Sequence, residues 1–314
     1  MDSARPFFSV LMPTHNRPVK FKLALKSVLN QTFADYEVII INDCSSVSYE
    51  NVFSEFTQDN LTFINLDFPA GVSEARNKGA LRAKGEWLVF LDDDDELTPR
   101  CLEERFKKLE KDNNQNIKFA WSNVKHSVLN SENVEVESYF SSFKSNYETD
   151  DALFCDVFRV GAGYSLSVDR QTFLDLGGFK KDYPVAEDTD LVLRLLTEGF
   201  KPVINLGIGV IVHHHKEVKL SNSMANRSRL GIVERLLQDH ELFLSRHTPL
   251  KMTVYSWAVR THYEALALDA GDRVFKLLMD VAMENPEYLN WCRDLALQRK
   301  ATAAGIADTA LEFV

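Results

Sequence analysis

Four consecutive aspartates, Asp92 to Asp95, directly follow an apolar run, Trp87-Leu88-Val89-Phe90-Leu91, that Gly85 bounds on its N-terminal side. Runs of like charge are ordinarily solvated faces or tails, but this one abuts a segment of strand length. Its carboxylates are therefore expected at the end of a strand, and ligand crevices in open α/β sheets lie just beyond the carboxyl ends of the strands. Carboxylates packed this closely repel one another. A hard divalent cation such as Mg²⁺ or Mn²⁺ relieves the repulsion, and such ions take oxygen ligands shared with a substrate's phosphates. The chemistry expected at this edge is metal-assisted handling of a phosphorylated compound.

The elements that must position this edge read as alternating strands and helices. Phe7 to Met12 reads as a buried strand ending at Pro13, and Pro18 opens a helix whose apolar positions include Val19, Leu23, Val28 and Leu29. Tyr36 to Ile41 is a second strand, closed by the turn and cap formers Asn42-Asp43-Cys44-Ser45-Ser46. Leu61 to Leu66 makes a third, and Gly71 and Ser73 announce a helix from about Glu74 to Ala83. This spacing implies right-handed βαβ crossovers and a mainly parallel sheet. Three loops, Pro13 to Arg17, Asn42 to Ser46 and Asp92 to Asp95, then converge on one edge.

Beyond Pro99 the pattern predicts a helix, a strand over Lys118 to Val124, and a polar mobile loop or hairpin excursion over Ser127 to Asp151. Order returns with Tyr164 to Val168 and a short helix, the helix ending at Gly177-Gly178 in a left-handed C-cap. Asp188 to Glu198 is an amphipathic helix with Leu191, Leu195 and Leu196 on one side, and Val203 to Val212 is a strand running into His213-His214-His215. From about Met224 the chain reads as helical, with Leu236, Leu237, Phe243, Trp257, Leu266, Leu277, Leu278, Leu289 and Trp291 as core candidates. Two regions are expected, 1–218 and a helical 219–314 serving acceptor binding, packing or oligomerisation.

The 314 residues are 45% hydrophobic and 26% charged, as in ordinary globular proteins. A net charge of −10 argues against nucleic acid as partner, because binding its backbone needs clustered Lys and Arg. Cys44, Cys101, Cys155 and Cys292 are scattered without metal or disulfide spacing, which fits reduced thiols in the cytoplasm. No stretch approaches the roughly 20 apolar residues that span a bilayer. Peripheral association with the inner membrane face and self-association through the helical tail are compatible with this composition.

Taken in order, Ser9-Val10-Leu11-Met12-Pro13-Thr14-His15-Asn16-Arg17, Val38 to Ser45, Gly71 to Ala80, Gly85 to Asp95, Gly177-Gly178-Phe179 and Glu187-Asp188 resemble the family 2 glycosyltransferases of GT-A fold. The resemblance spans roughly residues 6 to 216. It implies a doubly wound, mixed but mainly parallel α/β sheet followed by an α-helical C-terminal region. It also implies inverting transfer of a sugar from a nucleotide-diphosphate sugar, with UDP favoured, to the hydroxyl of a glycan, lipid-linked or protein acceptor. In that scheme Pro13 and Thr14 lie along the nucleoside, with Asn16, Arg17 and Asn77 at the same edge. Asp43 bonds the base and Arg76 lies near it. Asp92 and Asp94 match the family's Asp-x-Asp element, Asp92 nearer the ribose and Asp94 nearer a Mn²⁺ or Mg²⁺ ion that Asp95 assists in holding. Asp93 stands where the family tolerates a small residue. Asp188 matches the general base, with Glu187 beside it as a secondary candidate, and His213 or His215 supplies a nitrogen to the metal.

Each assignment has a plainer structural counterpart. Asp43 suits an Asx-turn or a helix N-cap, Asp188 an N-cap, Arg76 a surface ion pair, and the histidines an exposed strand end. Two rival functions are weighed on the same residues. A nucleotide-sugar pyrophosphorylase resembles its relatives in a Gly-rich first loop, which Pro13 to Arg17 lacks. A non-catalytic recognition module has no need of Asp92, Asp94 and Asp188 together.

Overall fold

The computed structural model describes residues 5–111, 114–161, 163, 166–214, 226–264 and 267–303. These fall into two compact units, one drawn from Met1–Asn146 and Arg159–Glu217, the other from Tyr147–Phe158 and Val218–Val314. The first is built on β1 (Phe8–Thr14), β2 (Tyr36–Asn42), β3 (Leu61–Asn65), β4 (Trp87–Phe90), β5 (Glu96–Leu97), β6 (Ile117–Leu129), β7 (Glu135–Ser141), β8 (Ser167–Asp169) and β9 (Lys201–His214). They form one sheet in the order β3-β2-β1-β4-β8-β6-β9-β5, with β7 paired to β6. The sheet is parallel from β3 to β4 and between β6 and β9, whereas β8 runs antiparallel between β4 and β6.

Near-continuous apolar runs form the central strands because both faces are covered, as parallel sheets require. Every residue of β1 is buried, and so is all of β2 except Asn42. Pro13 continues β1 instead of ending it. The strand pairs with β2 through Thr14 but with β4 only through Leu11, so the missing proline N–H falls beyond the end of β4. Helix α1 (Pro18–Leu29) turns Phe21, Leu25 and Val28 inward and leaves Val19 and Leu23 exposed. The short α2 (Glu50–Phe53) follows β2, and α3 (Val72–Arg82) returns the chain to β4. Gly85 permits that return, since a Cβ there would lie 2.6 Å from the Ser9 backbone nitrogen. After β5, α4 (Cys101–Lys111) leads to β6.

The polar stretch over Ser127 to Asp151 is a hairpin at its start. β6 extends to Leu129, Asn130 Oδ1 accepts the amides of Glu132 and Val134 across the turn, and β7 returns. The remainder leads into α5 (Asp150–Asp156), which belongs to the second unit. Thr149 caps that helix by accepting the Ala152 amide. In the first unit, β8 passes into α6 (Arg170–Asp175), and α7 (Glu187–Thr197) leads to β9. Gly177 and Gly178 both take left-handed φ, at 79° and 68°, and Asn77 closes the turn they form. Its amide donates to the Phe179 carbonyl at 2.8 Å and accepts the Phe179 amide at 2.9 Å.

The second unit also contains α8 (Asn226–Asp239), α9 (Glu241–Leu244), α10 (Thr248–Glu264), α11 (Leu268–Glu284) and α12 (Leu289–Ala303). Its core takes in Leu236, Leu237, Leu244, Val254, Leu278 and Leu295, while Phe243 and Trp257 are half-buried. Leu277, Leu289 and Trp291 are exposed, contrary to the sequence reading. In α11 the buried stripe is Val274, Leu278 and Ala282, four residues apart, which turns Leu277 outward. Leu266 lies outside the described residues. Among the described residues no helix is long and apolar enough to cross a membrane.

The Asn77 clamp gives a direct stability test. Asn77→Ala leaves the backbone N–H and C=O of buried Phe179 without these partners. Urea denaturation is expected to show a loss of about 2 kcal/mol or more, the scale of unpaired buried groups. A loss below about 0.5 kcal/mol would mean that the glycines hold the turn unaided.

Candidate active site

The three expected loops meet at the carboxyl ends of β1, β2 and β4. Thr14 Oγ1 donates to Asp93 Oδ2 at 2.7 Å and is bonded to the Tyr49 hydroxyl at 2.8 Å. That hydroxyl also accepts the Arg17 amide. The Arg17 guanidinium reaches Asp93 at 3.2 Å and Asp94 at 3.1 Å, so one cation serves two neighbouring aspartates. Burial pushes the Asp93 carboxyl up to about 6, against the opposing pull of Thr14 and Arg17. Tyr49, which no motif marks, is thus a joint of the first loop.

Asn16 and Asp43 organise the loops around this edge. Asn16 sits at φ 57°, a conformation asparagine tolerates, and its Oδ1 accepts the Ser46 amide at 2.8 Å. Asp43 is 7% exposed, and its two oxygens accept the backbone amides of Ala70 at 2.7 Å and Gly71 at 2.9 Å. It therefore fastens the loop that opens α3. Pro13 is buried in β1 and offers this edge only shape.

Arg76, from α3, is the most buried cation of the site at 4% exposure. One terminal nitrogen donates to Asp92 Oδ1, and the other donates to Glu187 Oε1 at 2.9 Å. The guanidinium carbon stands 5.5 Å from the centre of the Phe179 ring. Both terminal nitrogens are thus committed to the acidic run and to the start of α7, while Asp43 is committed to the α3 loop. The Asn77 clamp holds the Phe179 backbone while the rings of Phe90 and Phe173 pack its side chain, so Asn77 helps to seat the ring beside Arg76.

Helix α7 begins at Glu187 without a side-chain cap, after Ala186 in left-handed geometry. Asp188 is therefore not the N-cap residue; its Oδ1 accepts the Thr189 amide at 2.7 Å, and a Cβ on Gly163 would lie 3.1 Å from its Oδ2. Burial raises the carboxyls of Glu187 and Asp188 above the ordinary range, and nearby Arg76 pulls both back down. Two adjacent acids of raised proton affinity beside a cluster of strand-end carboxylates suit proton transfer.

Asp95 is buried and accepts the His213 amide at 3.1 Å, which ties the acidic run to the end of β9. The His213 ring bonds Glu96 through Nε2 at 2.8 Å, a partner the sequence did not mark. His215 lies outside the described residues. Among the described residues no three His, Cys, Asp or Glu side chains are already gathered in metal-ligand geometry. Asp92 and Asp94 are nonetheless suited to a shared cation. Their side chains are 41% and 24% exposed, and their ion pairs engage only Asp92 Oδ1 and Asp94 Oδ2. Hard oxygens placed this way fit Mg²⁺ or Mn²⁺ completed by substrate phosphates.

Comparison with known proteins shows the family and the fold. The profile of glycosyl transferase family 2 matches residues 9–173. An uncharacterized glycosyltransferase of Haemophilus influenzae is 30% identical over 224 residues, 70% of this chain and 73% of its own length. The Campylobacter jejuni GalNAc(5)-diNAcBac-PP-undecaprenol beta-1,3-glucosyltransferase is 38% identical over 106 residues, 33% of this chain and 34% of its own. Staphylococcus aureus TarS 1-349 superposes with a TM-score of 0.65 at 16% identity, over 98% of this chain and 94% of that one. TarS 1-349 has also been solved with UDP-GlcNAc. The likeness to TarS shows the fold, a GT-A type mixed sheet with flanking helices and a helical C-terminal region. Matched over more than half its length, the chain belongs to glycosyl transferase family 2 and is a glycosyltransferase.

Proposed function

We propose that the chain transfers a sugar from a UDP-sugar to an acceptor hydroxyl with inversion at the anomeric carbon, with Asp188 as general base and a divalent cation at Asp92 and Asp94. The observation that carries this reading is the placement of Arg76, which joins Asp92 to Glu187, the neighbour of Asp188. Asp92 and the first turn of α7, far apart in sequence, are thereby joined, which supports reading them as parts of one site. UDP is supported by the TarS complex with UDP-GlcNAc and by an Escherichia coli relative, 28% identical over 126 residues, named UDP-Glc:alpha-D-GlcNAc-diphosphoundecaprenol beta-1,3-glucosyltransferase WfgD. That name and the Campylobacter one also support a lipid-linked glycan as acceptor.

In this reading the acceptor oxygen attacks the anomeric carbon from the face opposite the diphosphate. A new C–O bond forms, the bond to the phosphate oxygen breaks with its electron pair leaving on UDP, and the acceptor proton passes to Asp188. A bound divalent cation supplies charge neutralisation at the departing diphosphate. Arg17 keeps Asp93 and Asp94 in register, and Asp43 frames the nucleoside through the Ala70–Gly71 loop. A metal ligand from Nε2 of His213 would take the place of its bond to Glu96.

Asp94→Ala is expected to abolish Mn²⁺-dependent binding of UDP in calorimetric titration; an unchanged affinity would remove Asp94 from the metal site. Asp188→Asn is expected to bind UDP normally while turnover falls by about two orders of magnitude or more. The base acts only when ionised, and burial raises its proton affinity. Wild-type turnover should therefore fall on acidification at a pH above the ordinary aspartate range of about 4, and rise as pH increases through that step. Residual activity of Asp188→Asn should lack the step, and an identical pH profile in the variant would move the base elsewhere.

A further inference from the structure

We infer that Arg76 is a positioning residue that ties the donor side of the site to its base, fixing the first turn of α7, and with it Asp188, through a two-armed bridge between Asp92 and Glu187. The inference deepens the proposed reaction and rests on the reading of Asp188 as base.

The bridge is the structure's answer to a weak helix start. Helix α7 has no side-chain cap, and the residue before it, Ala186, is held at φ 63° and ψ 23°, a left-handed conformation that a non-glycine residue adopts only under constraint. Its first turn carries three acids, Glu187, Asp188 and Asp190. Asp190 is fully buried and held by Lys180 at 3.0 Å and Arg194 at 2.8 Å, which anchors the inner face. Glu187, on the side of the acidic run, is held by Arg76. Arg76 itself is located by the two carboxylates and the Phe179 ring, for its Nε is buried without a hydrogen-bond partner. A guanidinium can make such a fork, and an ammonium of equal charge cannot.

Asp92 is also a donor-side group, so whatever shifts Asp92 is felt at Glu187 through one rigid plane. Arg76 thus acts on turnover by holding the base through Glu187. A misplacement of about 1 Å in a reacting group costs on the order of a hundredfold in rate, which sets the expected scale.

The experiment compares Arg76→Met, Arg76→Lys, Glu187→Gln and the Arg76→Met/Glu187→Gln double variant. UDP affinity is read by titration in the presence of Mn²⁺, and turnover as UDP release from the UDP-sugar that supports it. Glu187→Gln, which leaves Arg76 on Asp92, is expected to bind UDP within about threefold of wild type, which also shows that it folds, while kcat falls by about a hundredfold; the Arg76 variants, in which Asp92 also loses its partner, are expected to lose far less UDP affinity than kcat. The double variant should lose no more than the worse single one, because both substitutions break the same bridge. Arg76→Lys should remain close to Arg76→Met. Loss of UDP affinity in step with kcat in Arg76→Met would make Arg76 a donor-binding residue and overturn the inference. So would full rescue by Lys, multiplying losses in the double variant, or wild-type turnover in Glu187→Gln. Failure of the base reading shows separately, as normal turnover in Asp188→Asn; failure of the bridge shows with Asp188→Asn inactive.

Discussion

The constraint on which the site depends is the neutralisation of carboxylates gathered at one sheet edge. Asp92, Asp93, Asp94 and Asp95 would repel one another if left unpartnered in the same space, and the fold gives each a hydrogen-bonding or ion-pair partner. Asp92 goes to Arg76, Asp93 and Asp94 share Arg17, and Asp95 accepts the His213 amide. The same two arginines hold the surroundings together. Arg17 locks the loop after β1 against the acidic run, and Arg76 reaches across to Glu187 at the start of α7. Removing either cation would leave partly buried carboxylates unpaired, which is far costlier than losing an exposed ion pair. The arrangement is also poised for chemistry, because Asp92 and Asp94 are the less buried of the four acids.

Topology explains why these residues meet. The parallel order β3-β2-β1-β4 sends the loops after β1, β2 and β4 to the same edge, and the antiparallel β8 leads the chain back past β4 to the Gly177-Gly178 turn and α7. Asn77 on α3 then grips Phe179 through its backbone, so a helix from one crossover fixes a turn a hundred residues later in the chain. Family membership follows from matching segments in order, and the geometry shows what those segments do to one another.

Much of this was legible in the sequence because the central strands are apolar runs of strand length and the acidic run has no other plausible place. Individual roles were less legible. Asp43 and Asn77 have the residue types of ligand contacts, and in the fold their polar atoms also satisfy backbone groups of neighbouring loops, a pairing that depends on distances no linear pattern encodes. The resemblance puts Arg76 near the nucleotide base, and no linear pattern tells that its guanidinium also pairs with Asp92 and Glu187. Tyr49 and Glu96 were missed since a lone Tyr or Glu outside a motif gives no signal. In the helical unit, Leu277, Leu289 and Trp291 were read as core from hydrophobicity. The stripe through Val274, Leu278 and Ala282 shows that helix phase decides, and the phase is ambiguous where apolar residues are adjacent, as at Leu277-Leu278.

The central claim is that one pocket holds a leaving diphosphate at Asp92 and Asp94 and a base, Asp188, on the opposite side of the anomeric carbon. A crystal structure of the protein soaked with a UDP-sugar and Mn²⁺, with the ion located by its anomalous signal, tests this most directly. The account predicts the ion between the diphosphate and Asp94 or Asp92, and the Asp188 carboxylate facing the anomeric carbon away from the phosphate. Nucleotide bound away from the acidic run, or Asp188 on the phosphate side of the sugar, would contradict it.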